Sequence, residues 1–256
     1  MSTARTLVAI PVYNEQKHVA RVLERLREHH TDDVLVIDDG SGDATPQLLA
    51  NFPVEVIRHA SNRGYGRSMQ DAFRWAAVDG FDWIITMDCD EQHEPESIPD
   101  FLAAIEADDA DIVSGSRYLV PIEQQAAEGS PPPDRRAING LITEELNQRL
   151  GLRLTDAFCG FKAYRVSAVS KLVLGEDGYA FPMQFWVQAV AAGLRIGEIP
   201  IRLIYNDLTR SFGGPLDDRD IRLAHYRRVL HCELERCADR LPAAALVGAE
   251  AGCRGG

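Results

Sequence analysis

The 256-residue chain carries 27 Lys and Arg against 39 Asp and Glu, a formal net charge of −12, with 45% hydrophobic and 26% charged residues. This composition fits one α/β domain with or without an appendage, and the acidic balance excludes the basic footprint that nucleic-acid binding requires. No run of about eighteen apolar residues is available to span a bilayer, the N-terminus lacks a signal-peptide core, and five scattered cysteines argue against a disulfide framework and for a reducing cytoplasm.

Leu7-Val8-Ala9-Ile10 reads as a buried strand closed by Pro11, followed by a helix with Val19, Val22, Leu23 and Leu26 on one face. Val34-Leu35-Val36-Ile37 is a second strand, ending in Asp38-Asp39-Gly40-Ser41-Gly42-Asp43, and Thr45-Pro46 opens a helix with proline in its first turn. A third strand covers Val54–Ile57, a helix Ser68–Val78, and a fourth strand Trp83–Met87 that runs directly into Asp88. A helix at Ser97–Ala107 and a strand at Asp111–Ser114 complete the alternation. Strands alternating with helices imply crossovers and a mostly parallel sheet, whose ligands sit at the carboxyl ends of the strands. Beyond it, Val120–Asp134 is expected as a long loop over the site. Helices are expected at Arg135–Leu150 and Pro182–Ala192, a strand at Ile196–Tyr205, and an arginine-rich helix at Asp217–Leu241. Residues 1–215 thus form the main domain, 216–241 a helical appendage, and 242–256 an Ala/Gly-rich tail expected to be disordered.

Four polar clusters fall at strand ends: Tyr13-Asn14-Glu15, Asp38-Asp39, Asp88-Cys89-Asp90 and Ser116-Arg117. Two carboxylates one residue apart can point at one hard cation, magnesium or manganese, that keeps positions open for substrate phosphates. Carboxylates at Asp38-Asp39 suit hydrogen bonds from a ribose hydroxyl or a base, or alternatively an Asx-type turn. Asn62-Arg63-Gly64-Tyr65-Gly66 sets a cation and two glycines before a helix, a place for an anion or a plain glycine turn. It is neither a P-loop nor a complete dinucleotide fingerprint. Asp156, in a polar break, is a candidate to orient or deprotonate an acceptor, or a turn cap. His225, His231, Cys232 and Cys237 form no four-ligand zinc spacing. Six arginines between Asp217 and Leu241 face six acidic residues, which favours packing on the domain or in a homodimer over anionic lipid.

As a set, these residues resemble family-2 glycosyltransferases of the GT-A fold, especially the polyprenyl-phosphate (dolichol-phosphate) mannosyl- and glucosyltransferase branch. The pieces that carry the resemblance are Ile10–Glu15, Val36–Asp43, Met87–Pro95, Gly115–Tyr118, Thr155–Lys162 and Glu198–Ile201. The resemblance implies a Rossmann-like, mostly parallel sheet flanked by helices and a single inverting displacement at the anomeric carbon. It places Pro11, Tyr13, Glu15 and Asp39 at the nucleoside, with Arg63, Gly66 and Cys89 beside the nucleotide-sugar. Asp88, Asp90 and Gln92 match the metal and diphosphate positions, with Mn2+ or Mg2+ as cofactor, and Arg117 matches an arginine that meets a phosphate. The implied partners are a nucleotide-diphospho-sugar of the GDP-mannose or UDP-glucose type and a polyprenyl-phosphate acceptor, at the inner face of the membrane. Three positions depart from the branch: Gln184 stands where it has a glutamate, and Asn206 and Phe212 where it has an arginine and a lysine, with Arg202 or Arg210 as replacements. Three other readings compete: the same donor with a hydroxyl acceptor, a nucleotidyltransferase, and a sugar-nucleotide-binding protein without turnover.

Overall fold

The computed structural model describes residues 4–30, 33–125, 127–205 and 212–249. In chain order the elements are β1 (Thr6–Val12), α1 (Val19–His29), β2 (Val34–Asp38), α2 (Thr45–Leu49), β3 (Glu55–Arg58), α3 (Tyr65–Val78) and β4 (Trp83–Thr86). Then follow α4 (Ile98–Ala107), β5 (Ile112–Ser116), α5 (Pro133–Leu150), β6 (Lys162–Arg165), α6 (Val166–Val169), α7 (Phe181–Ala191), β7 (Ile196–Pro200) and α8 (Arg219–Arg236). The strands form a seven-stranded sheet in the order β3-β2-β1-β4-β6-β5-β7. Every pairing is parallel except those of β6, which runs antiparallel to β4 and to β5.

Successive strand residues point to opposite faces, and β1 is apolar on both. Leu7 and Ala9 join Leu35, Ile37 and Ile84 under one helical layer, which includes α3, α5, α7 and α8. Val8, Ile10 and Val12 join Val36 and Ile85 on the other face, against the buried stripes of α1 and α4. In α1 that stripe is Val19, Val22, Leu23 and Leu26, each at most 2% exposed, and each such side chain contributes about 1.5–3 kcal/mol by leaving water.

Three points differ from the sequence reading. The strand β6 was not foreseen, because Lys162–Arg165 has no apolar alternation of its own. The segment Val120–Asp134 is not a free loop: Glu128 bridges Ile204, its N–H donates to Leu203 O at 2.9 Å, and Gln125 spans to Arg117 O and Leu203 N. The strand expected over Ile196–Tyr205 stops at Pro200.

The C-terminal helix packs onto the main domain, one of the arrangements that the balance of its charges favoured. In α8, Tyr226, Leu230 and Leu234 lie in the same core cluster as Leu7 and Ile84, so its apolar stripe is consumed within the molecule. Asp218 caps its start, accepting from Asp220 N and Ile221 N. The first residues of the expected tail are docked as well: Ala245 is fully buried, and Arg149 donates to Ala245 O and Val247 O at 3.1 and 2.9 Å; residues 250–256 lie outside the described residues. Cys89, Cys159 and Cys237 are free and buried, whereas Cys232 is disulfide-bonded, a departure from an all-thiol chain though far from a framework.

Candidate active site

Register places the ends of β1, β2 and β4 side by side: Val12 pairs with Asp38, Ala9 with Thr86, and Met87 N–H donates to Ala9 O. The loops that follow are laced together. Asn14, at φ 56°, donates its N–H to Ser41 Oγ at 2.9 Å and accepts from Gly42 N at 2.9 Å. Pro11 is half-buried within β1, and Tyr13 stands 48% exposed over the cleft. Glu15 is almost buried, and its carbonyl receives His18 N and Val19 N, which starts α1.

The two aspartates after β2 have different tasks. Asp38 Oδ1 accepts from Ser41 N at 2.8 Å, and Oδ2 lies 3.2 Å from Arg58 Nε without the geometry of a hydrogen bond. Asp39 accepts the backbone N–H of Arg63 at 2.8 Å and of Gly64 at 2.9 Å, and holds His59 Nδ1 at 2.6 Å. Asp39 therefore shapes the Asn62–Gly66 loop. Arg63 turns its side chain to solvent. At Gly64 (φ 103°) and Gly66 an added Cβ would lie 2.3 and 2.1 Å from the carbonyl oxygens of Asp177 and Glu176, so both glycines serve a backbone-to-backbone approach.

The acidic turn after β4 is anchored from within. Its Asp88 N–H donates to His93 Nδ1 at 2.9 Å, which leaves the proton on Nε2, 3.8 Å from Cys159 Sγ. Burial pushes the imidazole down to about 4; Asp90 opposes this while Arg117 and Lys162 add to it. His93 is thus a neutral acceptor under the turn. Asp90 Oδ1 accepts Gln92 N–H at 3.1 Å, an Asx turn. The Cys89 side chain belongs to the core, so only its backbone faces the site. The Asp88 side chain is 36% exposed and leans on Gly160, where a Cβ would come within 2.7 Å of Oδ2 and 2.8 Å of Oδ1. Thr86 Oγ1 locks the same residue through Gly160 O at 2.7 Å. Among the described residues no three His, Cys, Asp or Glu side chains converge into a closed metal cage. Asp88 and Asp90 fit the open, two-carboxylate kind of divalent-ion site, since the bare glycine leaves room for a carboxylate that must move to meet a ligand.

Arg117, directly after β5, is held by Asp156 through a two-pronged ion pair, Nε to Oδ2 at 2.6 Å and Nη2 to Oδ1 at 3.0 Å. Asp156 is fully buried and also accepts Asn139 Nδ2 at 2.8 Å and Phe158 N at 3.2 Å. Burial alone would raise its pKa; the Arg117 charge and the hydrogen bonds from Arg117 and Asn139 outweigh it and hold the carboxyl below its usual range. With its oxygens engaged and away from solvent, Asp156 anchors Arg117, and the bond from Phe158 N gives it the turn-capping geometry as well. A further layer supports it, as Glu198 of β7 accepts Thr155 N at 2.9 Å, Thr155 Oγ1 at 2.8 Å and Asp156 N at 3.2 Å. Lys162 is buried in β6, 5.4 Å above the Trp186 ring, with its ammonium on Cys159 O.

The departures take structural roles. Gln184 is buried; its Oε1 accepts Gly175 N and Glu176 N at 2.7 and 2.8 Å, and its Nε2 donates to Glu233 of α8 at 2.9 Å. Phe212 lies between the guanidinium groups of Arg135 and Arg222, at 4.7 and 4.6 Å. Arg202 pairs with Glu94 and Glu128, and Asn206 and Arg210 lie outside the described residues. His93 and Gly160 had received no role from sequence, although both stand inside the pieces that carry the resemblance.

The family model described as "Glycosyl transferase family 2" matches residues 7–173. An undecaprenyl-phosphate mannosyltransferase from Micrococcus luteus is 34% identical over 216 residues, 81% of this chain and 86% of the relative. A polyprenol monophosphomannose synthase from Mycolicibacterium smegmatis is 31% identical over 218 residues, 80% of each chain. Among solved structures, glucosyl-3-phosphoglycerate synthase from Mycobacterium tuberculosis, in complex with Mn2+, UDP and glucosyl-3-phosphoglycerate, superposes with a TM-score of 0.64 over 93% of this chain and 81% of that one, at 18% identity. At that identity the likeness speaks for the fold, which is the GT-A arrangement. Joined to the sheet order and the acidic strand-end turn, these matches place the chain in glycosyl transferase family 2, as a glycosyltransferase.

Proposed function

We propose that the protein transfers a hexose, with inversion, from a nucleotide-diphospho-sugar to a polyprenyl phosphate, using a divalent cation. The donor lies across the ends of β1, β2 and β4. Tyr13 offers an exposed ring to the base, beside Pro11, Glu15 and the loop that Asp39 shapes. Asp88 and Asp90, with Gln92 beside them, hold Mn2+ or Mg2+. That ion, when bound, neutralises charge growing on the departing diphosphate, a contribution of several kcal/mol. His93 and Gly160 set where the Asp88 carboxylate sits. Arg117 presents a fixed positive charge to a phosphate, with Asp156 ensuring that its fork does not wander.

The observation that carries the choice of acceptor is the engagement of Asp156. A hydroxyl acceptor needs a base in reach, and the candidate base is sealed behind Arg117 and Asn139. A phosphate monoester is already a nucleophilic oxyanion and needs none. The names of the two relatives, both of which specify a polyprenyl phosphate or its product, support the same acceptor. No helix among the described residues is long and apolar enough to cross a membrane. The polyprenyl chain of the acceptor lies in lipid, so the acceptor would be met at a membrane surface, for which the inner face is proposed.

A direct assay tests this reading. With manganese, a labelled GDP-mannose or UDP-glucose donor should deliver its sugar to undecaprenyl phosphate and move the label into the organic phase. The same donors should raise the melting temperature of the protein, and Asp88→Asn should abolish the metal-dependent part of that rise. Label that reaches only water-soluble alcohols would overturn the acceptor assignment; no stabilisation by any nucleotide would overturn the donor site.

A further inference from the structure

His59 has no part in the reaction outlined above, yet it is buried between two carboxylates. It follows β3 directly and is 8% exposed. Its Nδ1 lies 2.6 Å from Asp39 Oδ1, after β2, and its Nε2 lies 3.1 Å from Asp71 Oδ2, on α3. Both ring nitrogens are thus within hydrogen-bond reach of a carboxylate oxygen, one from each neighbouring element. The other charges around it are paired elsewhere: Arg67 and Arg74 of α3 hold Asp71 at 2.7 and 3.0 Å, and Arg58 faces Asp38.

The remaining bonds of Asp39 run to Arg63 N and Gly64 N. His59 therefore closes a chain from α3 through Asp71 and Asp39 to the Asn62–Gly66 loop. Without it, the Asp39 carboxylate loses the one side-chain hydrogen bond shown to it and can rotate away from the loop.

We infer that His59, bridging Asp39 and Asp71 through its two ring nitrogens, is a positioning residue that holds the Asp39 carboxylate and its loop in the shape that receives the nucleoside of the donor. This deepens the donor-site reading and rests on it.

The test is calorimetric titration of the full chain with UDP and with GDP, in the presence of Mn2+. For whichever nucleotide the wild type binds, His59→Ala should weaken binding about tenfold, the loss of one charge-assisted hydrogen bond. His59→Gln, which keeps one N–H donor, and Asp71→Asn should weaken it less, and both keep the inference testable where the alanine variant does not fold. In turnover the donor KM of His59→Ala should rise with kcat nearly unchanged. A purely structural histidine would lower the melting temperature without that loss of nucleotide affinity. Wild-type affinity in the His59 variants would overturn this inference alone, whereas failure of the wild type to bind either nucleotide would overturn the donor site and the inference together.

Discussion

The two halves of the active site are built on different principles. The proposed donor half hangs on the ends of β1, β2 and β4, three neighbouring parallel strands each followed in the chain by a helix. Each contributes its polar residues from the loop immediately after the strand, so position follows from local order. The half that carries Arg117 is assembled across sequence instead. Arg117 follows β5, its anchor Asp156 precedes β6, Asn139 comes from α5 and Glu198 from β7. Such a site is only as well placed as the buried contacts that gather it, so damage to one member should spread. The two halves meet where Gly160 of the second lies under Asp88 of the first and Cys159 lies beside His93.

The largest expected effect tests the buried assembly. Asp156→Asn removes the charge opposite Arg117 in a buried place, and breaking such a pair costs about 3–5 kcal/mol. Denaturant unfolding should show that loss together with a large drop in kcat. A variant with wild-type stability would mean that the second half is not knit through this ion pair.

The next effect probes the seam. Gly160→Ala would put a Cβ within 2.7 Å of Asp88 Oδ2. The obstructed group is the mobile end of a side chain, so the carboxylate should swing aside at little cost in stability. Displacing a catalytic ligand by an ångström costs about a hundredfold in rate. Steady-state assays over a manganese series should show that loss with an almost unchanged melting temperature; a fall in melting temperature at full activity would remove Gly160 from the metal site.

The smallest effect lies at the opposite end of the sheet and asks whether that end is indifferent to chemistry. Asp111, just before β5, is held by Arg195 and Arg165, which lower its carboxyl from 3.8 to about 2. Because the folded value is depressed, its stabilisation is fully present above pH 3.8 and is lost as pH falls toward about 2. Asp111→Asn should therefore flatten the acid limb of the stability curve between those values. Neutral-pH turnover should be unchanged, and a change in kcat would link this cluster to the active site.

The contrast also explains what was readable in advance. The strands at Leu7, Val34 and Trp83 are apolar on both faces because helices cover both sides of the sheet, and continuous apolar runs announce that situation directly. β6 gave no such signal, since Lys162 and Arg165 interrupt it, and its place between β4 and β5 comes from pairing with two strands distant in the chain. The balance of arginines and acids in α8 favoured packing on the domain or a second subunit without saying which. Its three inward residues, Tyr226, Leu230 and Leu234, turn out to complete the main core. Gly66 could be read as part of an anion-binding loop or of a plain glycine turn, and neither reading foresaw that the carbonyl of Glu176, far along the chain, requires its bareness.

By itself the sequence determined the alternating fold of the first half, the clustering of Tyr13, Asp39, Asp88 and Asp90 at strand ends, and the family resemblance. These depend on residue periodicity and on which residue follows a strand, both local properties. Only the tertiary structure decided that Asp156 anchors Arg117, that Gly160 makes room for Asp88, that His93 is a neutral prop under the acidic turn, and that His59 spans Asp39 and Asp71. Each of these is a contact between buried polar groups from separate elements, and a buried polar group takes its role from whichever partner the fold brings within hydrogen-bond reach.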